Sequence, residues 1–306
     1  MNTAEPFNQK KLFGINNHLL ELIKLYKDNN YPNKLLLSGS KGIGKSTLAY
    51  HFINYVLSED ENYKYDIDKF EINPESPTYK TILNKSNANL IVIDINAEKK
   101  SIDISQIRSL INNLNKSSFN NKPRFVLIDN IELLNVNSAN ALLKTLEEPN
   151  QNIFFILINN EKKVLSTIKS RCLDFKISLT YDESISVIND ILGKNVFDFV
   201  NKDLLNYYFS PGNIYNLIKY SQIENINLKD LTLKNFLKVV IKEKLYKGEE
   251  TIKSLLYEFV ELMLHKTTLI NYHYYNYFLK RIDDMKRFNL DEESFFIEFE
   301  SKVLNA

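Results

Sequence analysis

Gly39-Ser40-Lys41-Gly42-Ile43-Gly44-Lys45-Ser46 carries the spacing G-x-x-x-x-G-K-[ST], and no other stretch constrains the fold as strongly. Only a loop rich in glycine can curl its backbone N–H groups around phosphate oxygens. The chain has seven glycines, and three of them are spent here. Lys45 is then placed to reach the terminal phosphates of a bound nucleotide, and Ser46 to ligate its Mg²⁺. Thr47 continues into a helix whose positive dipole end faces the anion. The flanks agree with this reading. Leu35-Leu36-Leu37 is a short apolar run before the loop, and Leu48, Ala49, Phe52, Ile53 and Val56 follow with helical spacing. The pattern is strand, phosphate loop (P-loop), helix.

Three more apolar runs, Leu90–Ile93, Phe125–Ile128 and Ile153–Ile158, read as buried strands. Between them, Ile107, Leu110, Ile111 and Leu114 mark an amphipathic helix, and Ala139 to Glu148 a second one ended by Pro149. Strands alternating with helices predict an α/β domain with a parallel sheet. The polar stretch 58–89 reads as loops. Beyond Tyr181 the β signal fades. Ser184–Leu192, Leu204–Phe209 and Asn213–Tyr220 read as short helices, and from Leu231 longer helical patterns dominate, interrupted near Gly248 and Asn271. The last third is expected to be all-α.

Phe125 to Ile128 ends in Asp129, which fits the second half of a P-loop site, where a carboxylate holds the Mg²⁺ shell. Asn159, at the end of the third run, is a further candidate for the nucleotide site. Hydrolytic P-loop proteins usually place a glutamate directly after the strand aspartate, to polarise the attacking water. Here Asn130 stands there, and an amide cannot take a proton. Loss of a general base typically costs about 10²- to 10⁴-fold in rate. Glu132 lies two residues on and need not face the same way. The site therefore reads as built to bind ATP or ADP with Mg²⁺ and poorly built to cleave it.

Composition narrows the remaining classes. With 44% hydrophobic and 25% charged residues the chain is a folded protein. A net charge of +1 supplies no strong basic field for holding nucleic acid. The single Cys172 excludes an intramolecular disulfide, and the four histidines show no metal-ligand spacing. The polar stretch 1–11 is no secretory core, and no apolar run approaches the roughly 20 residues of a membrane span. Cytoplasm is the default expectation.

Two further segments bring a family into view. Asn137-Ser138-Ala139-Asn140-Ala141-Leu142-Leu143-Lys144-Thr145-Leu146-Glu147-Glu148-Pro149 resembles the A-N-A-L-L-K-x-L-E-E-P segment of clamp-loader subunits, and Thr167-Ile168-Lys169-Ser170-Arg171-Cys172 their T-I-x-S-R-C motif. Order and spacing match that P-loop AAA+ family from about Gln9 to Leu179. Leu12-Phe13-Gly14 and Tyr31-Pro32-Asn33-Lys34 resemble its delta-prime branch, from the bacterial DNA polymerase III clamp loader. The resemblance implies an ATPase domain over 1–178, a small helical lid over 179–225 and a helical collar over 226–306. It implies a hetero-oligomeric ring with gamma/tau-like motor subunits and a delta-like subunit, acting on a sliding clamp and primer–template DNA. In that branch the subunit is a stator, and Arg171 would act in trans on a neighbour's ATP. Asn130 fits this, as does Asn213 after Ser210-Pro211-Gly212, where the lid commonly offers an arginine to its own nucleotide. The zinc-binding cysteines of many relatives are missing, so no zinc is expected. The alternative is a self-sufficient motor subunit or another P-loop remodelling ATPase.

Several residues also have plainer readings. Arg171 could be a surface arginine with a local carboxylate partner. Cys172 reads as a small packed residue rather than a nucleophile, and Glu147-Glu148 as structural. The run Tyr272 to Phe278 reads as helix packing rather than base stacking, and Lys99-Lys100 and Lys162-Lys163 as solvated loop charges. From the charge balance, the isolated chain is expected to bind primer–template DNA weakly or not at all at physiological salt. Fluorescence anisotropy with labelled DNA checks this, and sub-micromolar binding by the lone chain contradicts it.

Overall fold

Phe125 and Leu127 pack into one apolar cluster while Val126 and Ile128 pack into another. Side chains of a strand alternate between faces, so a continuously apolar run implies a sheet covered on both sides. The computed structural model shows that arrangement. It describes residues 5–95, 99, 101–115, 120–147, 152–160, 163–205, 209–248, 250–267, 272–288 and 290–305. Glu148, Pro149, Lys100, Lys162 and Asn271, discussed above, lie outside the described residues, as do the side chains of Tyr272 and His273.

The sheet contains β1 (Lys34–Ser38), β2 (Leu90–Ile93), β3 (Arg124–Ile128), β4 (Ile153–Asn159) and β5 (Leu173–Lys176). Its order is β2-β3-β4-β1-β5, and every pairing is parallel. One face is covered by α1 (Asn16–Lys27), α2 (Lys45–Leu57) and α3 (Pro77–Leu83), through Leu19, Leu22, Phe52, Val56, Tyr79 and Ile82. Tyr31 stacks on Phe52 at 4.7 Å and Phe125 on Phe154 at 5.6 Å within this layer. The other face is covered by α4 (Ile104–Leu114), α5 (Val136–Glu147) and α6 (Ser166–Lys169), through Ile107, Leu110, Leu142, Leu146 and Ile168. Asp103 and Gln106 start α4 with a capping box.

Three expectations are corrected. The stretch 58–89 is not all loop: Ser76 caps α3, Pro77 opens it, and Tyr79 and Ile82 are buried. β2 is an edge strand, with Val92 exposed, because an apolar run alone cannot tell an edge position from a central one. No helix runs over Leu204–Phe209 among its described residues. A 3-10 turn ends at Leu204, Leu205 is extended, and 206–208 lie outside the description.

The chain divides into two compact units, Met1–Leu179 and Thr180–Ala306. The second is helical among its described residues: α7 (Tyr181–Leu192), α8 (Pro211–Ile223), α9 (Leu233–Lys242), α10 (Glu250–Thr267), α11 (Tyr272–Phe288) and α12 (Glu292–Phe299). Thr180 and Glu183 form a capping box on α7, and Ser210 with Pro211 starts α8. One apolar core runs from Ile188 to Leu304. Phe278 sits fully buried in it, edge-on to Phe295 and Phe299, and Tyr274, Tyr275 and Tyr277 pack against it. The described part of the aromatic run is therefore packed into the core. Among the described residues no helix is long and apolar enough to cross a membrane.

His51 pins the N-terminal segment onto the first unit. It is fully buried on α2, and its Nε2 lies 3.0 Å from the carbonyl of Gln9, which can only accept, so Nε2 carries the proton. Nδ1 then accepts from the Tyr65 hydroxyl at 2.8 Å. Burial disfavours the charged ring and holds the imidazole pKa down at about 4. Between that value and about 6.5, the unfolded chain binds the proton and the folded chain does not, so stability rises with pH across this window. The full contribution, on the order of 3 kcal/mol, is present above about pH 6.5 and is lost on acidification toward pH 4. Thermal unfolding of the full chain should show a smaller drop between pH 7.5 and pH 5 for His51→Gln than for wild type. Equal drops would remove His51 as the source.

Candidate functional site

The parallel strands end in one row, and the polar residues at that edge form the site. Ser38 closes β1 and lies opposite Asn159 at the end of β4. Ile128 and Ile93 are paired, so Asp129 and Asp94 follow side by side, and the Asp129 N–H donates to the Ile93 carbonyl at 2.9 Å. In open parallel sheets this carboxyl edge is where ligands bind.

The glycine loop spans from β1 to α2 as expected. Gly39 has φ +150°, and a Cβ built there would lie 2.2 Å from the Ile177 carbonyl oxygen, just beyond β5. Gly44 has φ +97° and caps α2 without any side-chain bond to the first turn. The N–H groups opening this 13-residue helix thus lack the usual side-chain acceptor, which favours an anion there. Ser40, Lys41, Gly42 and Ile43 complete the loop, with Ile43 packed into the core beneath it. Thr47 is half-buried in the first turn of α2.

Lys45 is 3% exposed, and its ammonium donates to the carbonyls of Gly39 at 2.8 Å and Ser40 at 2.7 Å. It therefore lies folded over its own loop. The Ser46 hydroxyl donates to Asp129. Burial raises the Asp129 carboxyl above the ordinary range. The negative charge of Asp94 adds to this, while Ser46, the Asn130 N–H and Lys45 act against it. A divalent cation among these groups would relieve that strain, so Ser46 and Asp129 suit a metal shell. The Asn159 Oδ1 is buried and has no hydrogen-bond partner among the described residues. An amide in that place can present either oxygen or nitrogen to a ligand.

Asn130 takes a left-handed conformation, φ +54° and ψ +49°, which asparagine tolerates. Its side chain is engaged at both ends. Nδ2 donates to Asp94 at 2.8 Å, and Oδ1 accepts from Asn160 at 2.9 Å. Asn160 also donates to Glu132 at 3.2 Å. Asp94 and Asn160 were not found by sequence reasoning. Their only signal is position: Asp94 directly follows an apolar run, and Asn160 stands two residues beyond one.

Arg171 is held at the opposite edge of the sheet. Leu173, which opens β5, pairs with Leu35, four residues before Gly39, or about 13 Å along the strand. Arg171 precedes Leu173. Its Nη2 forms an ion pair with Glu147 at 2.8 Å, so the carboxylate partner named in the plainer reading exists. Cys172 packs against the core, and burial pushes its thiol up to about 11, as suits a packed residue rather than a nucleophile. In the second unit, Asn213 donates to Glu258 of α10 at 3.2 Å.

With this geometry in place, comparison with known proteins gives consistent relatives. A family model described as DNA polymerase III, delta subunit, matches residues 15–180. A DNA polymerase III subunit gamma from Buchnera aphidicola is 32% identical over 74% of this chain and 62% of its own length. A DNA polymerase III subunit delta' from Pseudomonas aeruginosa is 31% identical over 47% of this chain and 42% of its own. A crystal structure of a gamma subunit-related protein from Thermotoga maritima aligns over 93% of this chain and 92% of that one, with 18% identity and a TM-score of 0.39. The chain thus spans less than two thirds of the length of these two curated relatives.

The close approach at Gly39 can be tested directly. Gly39→Ala should destabilise the full chain by roughly 1–3 kcal/mol, because it adds a backbone collision to an unfavourable φ. Gly193→Ala is the control. It shares a positive φ, +64°, but nothing lies within 4 Å of an added Cβ. Urea unfolding should show the larger loss for Gly39→Ala, and equal losses would mean the contact with Ile177 does not constrain the loop.

Proposed function

This chain belongs to the DNA polymerase III, delta subunit, family of clamp-loader proteins, and on that premise we propose that it is a stator subunit of a sliding-clamp loader. It binds ATP or ADP with Mg²⁺ through Gly39–Thr47, Asp129 and Asn159. It cleaves the nucleotide poorly, and it lends Arg171 to the nucleotide of a neighbouring motor subunit. Its partners are gamma/tau-like motors and a delta-like subunit in a hetero-oligomeric ring, with the clamp and primer–template DNA reached through that assembly. Residues 179–225 act as the lid and 226–306 as the collar.

The observation that carries this reading is the state of Asn130. An amide cannot serve as a base, and this one is already spent on Asp94 and Asn160. Asn213, bonded to Glu258, supplies no cation to a phosphate either. The placement of Arg171 supports action in trans. It sits at the strand-entry edge, whereas the glycine loop occupies the strand-exit edge. A guanidinium can bond two phosphoryl oxygens at once as charge builds on them, which a lysine cannot match. Bound Mg²⁺ would neutralise phosphate charge between Ser46 and Asp129.

The second reading, a self-sufficient motor, is favoured by the complete glycine loop and by the Ser46–Asp129 pair. ATP turnover by the isolated chain separates the two. We expect a fluorescent ATP analogue to bind wild type and to lose binding with Lys45→Ala, while turnover stays near background. In the reconstituted loader, Arg171→Ala should assemble normally and lower single-turnover hydrolysis at the neighbouring site by on the order of 10³-fold. Arg171→Lys should recover little of it. Brisk turnover by the isolated chain supports the motor reading. Wild-type hydrolysis by Arg171→Ala complexes would falsify the trans role.

A further inference from the structure

Glu147 lies in the last described turn of α5, two residues before Pro149, and a carboxylate there faces the negative end of the helix dipole. Helix stability does not explain an acid there. Its described partner is Arg171: Oε1 accepts from Nη2 at 2.8 Å. On its other side the guanidinium donates through Nη1 to the carbonyl of Thr167 at 2.9 Å, which also accepts from the Ser170 hydroxyl at 3.2 Å. The last described turn of α5 and the short α6 therefore converge on one guanidinium.

The pair is not part of the core. The side chains are 33% exposed for Arg171 and 53% for Glu147, and ion pairs this open add little to stability. What the contact does change is freedom. Arginine is among the side chains with most rotamers to lose, and two bonds on separate nitrogens fix the plane of its fork. Five N–H donors are available, and these two bonds leave others for an anion.

We propose that Glu147 is the positioning residue of Arg171: it holds the guanidinium oriented before a neighbour's phosphate arrives. This rests on the trans reading of Arg171. Glu147 itself touches no substrate. Preset orientation lowers the cost of ordering the side chain during reaction, so its loss should fall on the rate and not on nucleotide affinity.

The test uses the full chain, alone and reconstituted with its partner subunits, as wild type, Glu147→Ala, Glu147→Gln and Arg171→Ala, and as the double variant Glu147→Ala/Arg171→Ala. In the isolated chain, the Arg171 guanidinium N–H signals in ¹⁵N NMR should show hindered rotation in wild type and lose it in Glu147→Ala. In the complex, Glu147→Ala should lower single-turnover hydrolysis at the neighbouring site on the order of tenfold with KM unchanged. Glu147→Gln, which keeps an acceptor oxygen, should recover most of the rate. In the Arg171→Ala background Glu147→Ala should cost nothing more. A large Arg171→Ala effect beside a silent or accelerating Glu147→Ala overturns this inference alone. So does an equal Glu147→Ala loss in both backgrounds. Silence of Arg171→Ala overturns the trans reading and this inference with it.

Discussion

Parallel pairing of β1, β2, β3 and β4 is the constraint on which the candidate site depends. Because the strands run the same way in fixed register, their ends form one row, and residues far apart in sequence arrive there together. Ser38 meets Asn159, and Ile93 meets Ile128, which brings Asp94 beside Asp129. The register is in turn held by burial on both faces. A one-residue slip of β3 would exchange Phe125 and Leu127 for Val126 and Ile128 and misfit both clusters at once. The chemistry at the edge is thus fixed by apolar packing several residues away from it.

Charge at that edge is unevenly compensated. Lys45 donates to two carbonyl oxygens of its own loop, and its charge also acts on Asp129. Asp129 is buried near Asp94, and among the described residues a hydroxyl and a backbone N–H donate to it. A cation near the carboxylates would offset their burial, an anion at the start of α2 would meet N–H groups that lack a side-chain cap, and a nucleotide with its Mg²⁺ would supply the two together. Asn130 differs from these groups because both ends of its amide are already paired, to Asp94 and Asn160.

Much of this was legible in the sequence, and the division follows from range. The glycine loop, its strand and its helix are set by neighbours within a few residues, so Lys45, Ser46 and the extent of α2 could be read directly. Asp129 could be read because it ends a strongly apolar run. β5 gave no signal: Leu173-Asp174-Phe175-Lys176 is short and half polar, and only the close fit of Leu35 to Ser38 alongside it makes a strand. α3 was hidden in a polar stretch because its buried residues, Thr78, Tyr79 and Ile82, are few and its start depends on a single cap. Asp94, Asn160 and the partnership of Glu147 with Arg171 depend on side chains meeting across 24 to 36 residues of chain. Local spacing carries no trace of such meetings.

β5 draws the two functional segments into one frame. At its entry, after the short α6, stands Arg171, held by Glu147 and the Thr167 carbonyl. At its exit Ile177 donates its N–H to Ser38 at 2.8 Å, and its carbonyl leaves Gly39 no room for a side chain. Only the four residues Leu173–Lys176 lie in the strand between, paired to β1 throughout. A paired strand transmits displacement along its length with little slack, since its hydrogen bonds lose alignment when it shifts against its neighbour. The room that Gly39 leaves for the Ile177 carbonyl is thus set by the same strand whose entry follows Arg171.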